Sequence, residues 1–146
     1  MTLLIRPLRP DDRDQWMPLW LGYLDFYETK LPDEVSETTF ARLCDPARLQ
    51  QRGLVAEKDG RLVGMVNVVF HAHNWKREDV TYLQDLFATL ETRGTGVGRA
   101  LIEAVYRLAD ENGTPTVYWM TQEFNATARQ LYDRVGTLTP FIRYQR

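Results

Sequence analysis

The sequence has a single cysteine, Cys44, so it can form no internal disulfide and supply no cysteine-rich zinc cluster. It also has no excess of charge of one sign, with 18 Lys and Arg against 20 Asp and Glu. The resulting net charge of −2 argues against wrapping nucleic acid by bulk charge, while leaving a local basic patch open. Long apolar runs are missing too. The stretch from Leu62 to Phe70 is interrupted by Asn67 and is far too short to span a bilayer. Met1 to Arg9 has neither an apolar core nor a small-residue cleavage site, so no secretory signal is expected and a cytoplasmic protein is. Repeats, low-complexity tracts and Gly/Ser linkers are absent as well. The 146 residues therefore read as one domain, 1–146.

What is present suits a globular domain with a pocket. Hydrophobic residues make up 44% of the chain and aromatics 12%, including four Trp and seven Tyr. These are enough large side chains to fill a core and line a cavity, and they exclude a disordered chain.

The pattern changes period along the chain. Thr2 to Leu8 alternates as a first strand. Pro10, Asp11 and Asp12 suit the opening turn of a helix. Trp16, Leu19, Trp20, Tyr23, Leu24 and Tyr27 then recur at spacings of three and four, one helical stripe that Pro32 stops. Ser36 to Leu43 reads as a short second helix with Phe40 and Leu43 buried. Gly53–Glu57 and Arg61–Phe70 are β-rich runs joined through Asp59-Gly60, a strong hairpin signal. Val80 to Leu90 is a further extended run. Val97, Leu101, Ile102, Val105 and Leu108 are a helical stripe ending near Asn112-Gly113. Thr116–Thr121 reads as a strand, Asn125–Val135 as a helix closing at Gly136, and Phe141–Tyr144 as a last strand. The order predicts an α/β or α+β domain around a mixed sheet.

Between the third extended run and the following helix lies Arg93-Gly94-Thr95-Gly96-Val97-Gly98-Arg99-Ala100. Glycines let a backbone turn tightly and approach a ligand closely, and the free N–H groups of the next helix then converge with its dipole behind them. Arg93 and Arg99 add positive charge. Such a loop suits a pyrophosphate. It lacks the Gly-Lys-Ser/Thr of a P-loop and the spacing of a Rossmann fingerprint. A tight turn without a ligand is the alternative reading.

Arg93-x-x-Gly96-x-Gly98, after a strand and before a helix, resembles the acetyl-CoA pyrophosphate loop of the GNAT superfamily of N-acetyltransferases. Asn125-Ala126-Thr127-Ala128-Arg129-Gln130-Leu131-Tyr132, followed by Gly136, resembles that superfamily's second signature. Two motifs in the right order, about 30 residues apart, are far more specific than either alone. Tyr82–Leu86 and Gly113–Trp119 look most like the fungal branch that acetylates histones, polyamines and D-amino acids, with a looser similarity to diamine acetyltransferases. The resemblance implies a central mixed, mostly antiparallel twisted sheet of six to seven strands, flanked by about four helices. It also implies a homodimer, with Phe141–Tyr144 as a contact, and an acetyl-CoA cosubstrate that leaves as coenzyme A.

Site residues follow from the same resemblance. The backbone of Leu86, Phe87 and Ala88 would meet the pantetheine arm, with the N–H near Phe87 stabilising an oxyanion. Arg93, Gly94, Thr95, Gly96, Val97, Gly98, Arg99 and Ala100 would hold the pyrophosphate. Asn125 and Ala128 would also contact the cosubstrate. Tyr132 would protonate the leaving thiolate. An alkylammonium must lose a proton before it attacks, and a carboxylate is the usual helper. Gln84 stands where the diamine branch has a glutamate, so that base does not carry over. Asp85, on the opposite strand face, and Glu123 are the candidates, and Asp85 can equally be an orienting carboxylate. Tyr23, Tyr27 and Glu28, with Gln84 and Glu123, form the candidate acceptor wall, where aromatic and acidic groups suit a cationic amine. A core stripe with a solvated acidic face is the competing reading of the same helix.

The remaining features read more simply. His71 and His73 share a strand face but have no third ligand at matching spacing, so no metal is expected. Cys44, late in a helix, reads as a structural thiol. Trp75-Lys76-Arg77 reads as an exposed loop. The expected activity is transfer of an acetyl group to a primary amine by direct attack in a ternary complex. A small amine, polyamine or amino acid is favoured as acceptor over a protein lysine, with no nucleic acid or membrane as partner. A non-catalytic acyl-CoA-binding module is the alternative from another class.

Overall fold

Asp59 and Gly60 both take positive φ, 53° and 79°, as a tight two-residue hairpin turn requires. They join β2 (Gln51–Lys58) to β3 (Arg61–His71), the centre of the sheet. The computed structural model describes residues 2–146, and Met1 lies outside it. β1 (Leu3–Pro7) pairs antiparallel with β2, and β4 (Val80–Ala88) antiparallel with β3. β5 (Val117–Tyr118) pairs parallel with β4, giving the order β1-β2-β3-β4-β5.

Alternation along the central strands sends side chains to two different layers. Val55 and Met65 face α1 (Arg13–Phe26) and α2 (Asp33–Cys44), where they meet Trp16, Trp20, Leu24 and Phe40. Trp16 and Trp20 are stacked with ring centroids 5.4 Å apart, and Phe40 packs 5.2 Å from Trp16. Leu54, Val66, Val68 and Leu83 face the opposite way, onto Leu101, Ile102 and Val105 of α3 (Val97–Asn112). α4 (Ala126–Val135) lies on that second face through Leu131, Tyr132 and Val135. A bidentate pair ties the start of α1 to the sheet: the Arg6 guanidinium donates to both Asp12 carboxylate oxygens at 2.8 Å. These hydrogen bonds hold the Asp12 carboxyl below the usual carboxylate range against the opposing effect of burial.

Two expectations need correction. The sheet has five strands among the described residues rather than six or seven. The segment from Phe141 to Tyr144 forms no strand. The cause lies at the sheet edge: β5 pairs with β4 only through Thr81–Val117 and Tyr82–Tyr118, so a further strand finds only a two-residue edge to join. β propensity reports fit to a neighbouring surface, and that surface is missing here. The predicted Thr116–Thr121 strand is shortened to Val117–Tyr118, after which the chain leaves the β4 edge.

Candidate active site

β4 and β5 pair at Thr81 and Tyr82 and then part, so from Leu83 to Ala88 one side of β4 has no strand beside it. A fork opens there between β4 and the β5–α4 region. The register between β3 and β4 shifts after Asn67, which pairs with Asp85 while Val68 pairs with Leu83. Gln84 is therefore an extra, unpaired residue, a bulge that bends β4 at the mouth of the fork.

The glycine loop closes one end of the fork. Gly94 and Gly96 have φ of 79° and 92°, the left-handed conformation that side chains resist. The α3 helix begins directly after Gly96 with no side-chain cap. Arg93 N–H is satisfied by Leu90 O, Thr95 N–H by Thr92 O, and Ala100 N–H by Gly96 O. Among the described residues, the N–H groups of Gly94, Gly96, Val97, Gly98 and Arg99 form no hydrogen bond to a loop or cap acceptor. That is an uncapped helix N-terminus with the donor set and dipole an anion needs. The Arg99 side chain turns along α3 to Glu103, at 2.8 Å.

On α1, the Tyr23 hydroxyl donates to Gln84 O at 3.4 Å, and its ring lies 5.2 Å from that of Tyr27. Burial, with the Asp85 charge, pushes the Tyr23 phenol far above its ordinary value and raises Tyr27. Asp85 is only 6% exposed and accepts from Asn67 Nδ2 at 3.1 Å. Burial raises its pKa, while the hydrogen bond from Asn67 and the neighbouring Tyr23 hydroxyl oppose the rise. A carboxyl displaced upward in this way moves toward the range of a working general base.

Across the fork, α4 presents Tyr132. Its ring meets Trp119 edge-on at 5.6 Å. Burial, with a contribution from nearby Tyr27, pushes this phenol up to about 12, so it keeps its proton at neutral pH. Tyr27 thus feels Asp85, and Tyr132 in turn feels Tyr27.

Tyr23, Tyr27, Gln84, Asp85 and Tyr132 are brought together, with Leu86 to Ala88 along the open edge. Glu28 is exposed beyond the end of α1. Glu123 is exposed ahead of α4, where its carbonyl accepts from Arg129. Asn125 uses its side chain locally, accepting from Ala128 N at 3.4 Å as the cap of α4. Residue reasoning missed Asn67, Tyr82 and Tyr118. Asn67 had a signal, since a polar residue interrupting a buried apolar strand demands a partner. Tyr82 and Tyr118 stack at 4.8 Å, and Tyr118 hydroxyl meets His71 Nε2 at 2.6 Å, pinning the closed end of the fork. Cys44 ends α2, where burial pushes its thiol up to about 11, away from nucleophile chemistry.

Residues 14–137 match the model of the acetyltransferase (GNAT) family. The chain is 39% identical over 145 residues to the D-amino-acid N-acetyltransferase HPA3 of Saccharomyces cerevisiae, covering 99% of this chain and 90% of that protein. Among solved structures, the aminoglycoside N-acetyltransferase AAC(6')-Iy in complex with CoA superposes with a TM-score of 0.86 at 17% identity, covering 99% of this chain and 94% of that one. The ribosomal-protein-alanine N-acetyltransferase of Brucella melitensis biovar Abortus 2308 superposes at 0.80 with 20% identity, covering 99% and 98%.

Proposed function

This chain belongs to the acetyltransferase (GNAT) family, and from that premise we propose that it acetylates a small cationic primary amine: a free amino acid, a polyamine or a related small amine. It is an N-acetyltransferase that uses acetyl-CoA. The residues present fit that cosubstrate. The loop supplies unpartnered N–H groups at Gly94, Gly96, Val97, Gly98 and Arg99 for the pyrophosphate, and the unpaired edge of β4 near Leu86, Phe87 and Ala88 suits an extended arm. When bound, acetyl-CoA supplies the activated acetyl thioester.

The single observation that carries the acceptor class is the buried Asp85, with Tyr23 and Tyr27 beside it, facing a fork whose opposite wall is Tyr132. An anion ringed by phenols receives an ammonium by charge and by cation–π contact. Asp85, directly or through one water, takes the proton that the ammonium must lose. Tyr132, held neutral, donates toward the departing sulfur. Backbone N–H groups near Phe87 receive charge developing on the carbonyl oxygen.

The yeast relative, named for D-amino acids, supports a small acceptor. Thiol release from acetyl-CoA across L- and D-amino acids, spermidine, putrescine and a lysine peptide tests it. Release with the small amines is expected, whereas release with the peptide alone would replace the reading with a protein-lysine acceptor.

The enzyme is further proposed to act as one domain in the cytoplasm and as a homodimer. Leu138, Phe141, Ile142 and Tyr144 are all more than 70% exposed in the isolated chain, an apolar run suited to a second copy. Light scattering at working concentration is expected to give twice the chain mass.

A further inference from the structure

We infer that Arg93 is a positioning residue that couples the cosubstrate loop to the acceptor wall, an inference that rests on the acetyl-CoA site proposed above. Its place in the loop motif suggests phosphate binding, but its guanidinium points elsewhere. Nε donates to Ala88 O, the last carbonyl of β4, at 3.3 Å. The guanidinium carbon lies 5.4 Å from the ring centre of Phe87 and 5.8 Å from that of Phe26. Phe26 is the last residue of α1 and Phe87 belongs to the open edge of β4. One side chain of the loop therefore touches both β4 and α1 where they meet.

The contact is backed by close packing one turn earlier on α1. A Cβ at Gly22 would stand 2.9 Å from Phe87 Cζ, so the helix approaches the strand as nearly as a glycine permits. Beyond it, Phe26 fastens the α1 end to the loop through Arg93. Phe26 is 47% exposed, and its neighbour Tyr27 meets it edge-on at 5.1 Å. Tyr27 also packs edge-on against Tyr23, at 5.2 Å, on the acceptor wall beside Asp85. The mechanical line thus runs from the Gly94–Gly98 loop through Arg93 to Phe26 and on to Tyr27.

A loop whose backbone is held by the cosubstrate fixes the start of the Arg93 side chain. The guanidinium then has fewer arrangements to lose when it covers Phe26, so the α1 end is ordered at the same time. By linkage, an ordered α1 end favours cosubstrate binding by the same factor. Cation–π contacts with two surface rings set that factor at about three- to tenfold.

Hydrogen–deuterium exchange of the whole chain, with and without coenzyme A, tests the coupling without any acceptor. In the wild type, coenzyme A should slow exchange at residues 94–100 and also at Tyr27, Glu28 and Thr29, whose amides bond to carbonyls of the last α1 turn. In Arg93→Gln the loop should remain protected, and protection at Tyr27–Thr29 should fall by about three- to tenfold. Arg93→Lys, which keeps the cation, should restore part of it. Phe26→Ala should match Arg93→Gln, and the double variant should add nothing. Equal protection of the α1 end in wild type and Arg93→Gln overturns the coupling and leaves the coenzyme A site standing. So does loop protection in the wild type with none at the α1 end. No protection at residues 94–100 overturns the site itself and the inference with it.

Discussion

The two helices on the α3 face differ in a way that separates stability from chemistry. α3 buries Val97, Leu101, Ile102, Ala104, Val105 and Ala109 against a complete sheet. α4 has an apolar stripe too, yet buries no residue fully, because it lies where β4 and β5 have parted. A gap in the sheet costs α4 its packing and leaves one side of β4 without a strand. The α1–α2 layer is as well filled as α3, with Trp16 fully buried, until its last turn, where Tyr23 and Tyr27 reach the fork. The open half of the molecule therefore holds the proposed reacting groups and the closed half holds the fold.

Substitutions in the closed half should then affect stability without chemistry. Trp16→Ala has the largest expected effect, about 3–5 kcal/mol of unfolding free energy. Urea titration checks it, and an intact-like midpoint would break the comparison. Next is Tyr132→Phe in the open half. Its turnover should fall by about 100- to 1,000-fold while coenzyme A affinity by calorimetry stays near wild type. Loss of binding in place of turnover would make Tyr132 a packing residue.

Asp85→Asn sharpens the comparison because its two effects have opposite sign. Thiol release in kcat/KM should fall by about 10- to 100-fold at neutral pH and lose its acidic limb. Stability should move the other way. Burial raises the folded pKa of Asp85 above its unfolded value, so its proton-linked contribution is fully present below the unfolded value and lost as pH rises through the folded one. The variant should therefore gain on the wild type between pH 4 and 7, as thermal melts at the two pH values would show. Asp12, in the closed half, has the reverse linkage: its lowered pKa gives stability that is lost as pH falls. The smallest effect belongs to Phe141→Ala, within about 0.5 kcal/mol for the monomer. A cooperative loss of stability there would place the C-terminal segment in the core.

Much of this was legible in the residues. The Asp59-Gly60 turn, the α1 stripe and the Gly113 helix end are local effects, and each appears where its short-range signal stands. The glycine loop was legible because positive φ leaves few residue choices. Phe141–Tyr144 misled because strand-like composition names no partner. Asp85 was favoured only slightly over Glu123 on paper. Only folding put Asp85 in the fork beside Tyr23 and left Glu123 at the surface.

The amino-acid order alone thus determined the helices, the hairpin, the glycine loop and the chemistry class, since each depends on residues within a few positions or on a motif of adjacent ones. Tertiary structure decided the rest. The β4 bulge and the early parting of β5 decide which backbone edge is free. The packing of α1 on Phe87 decides that Tyr23 meets β4 at Gln84, next to a carboxylate from a distant part of the chain. Desolvation and charge fields act through space, so no spacing along the sequence could have set the pKa of Asp85 or Tyr132.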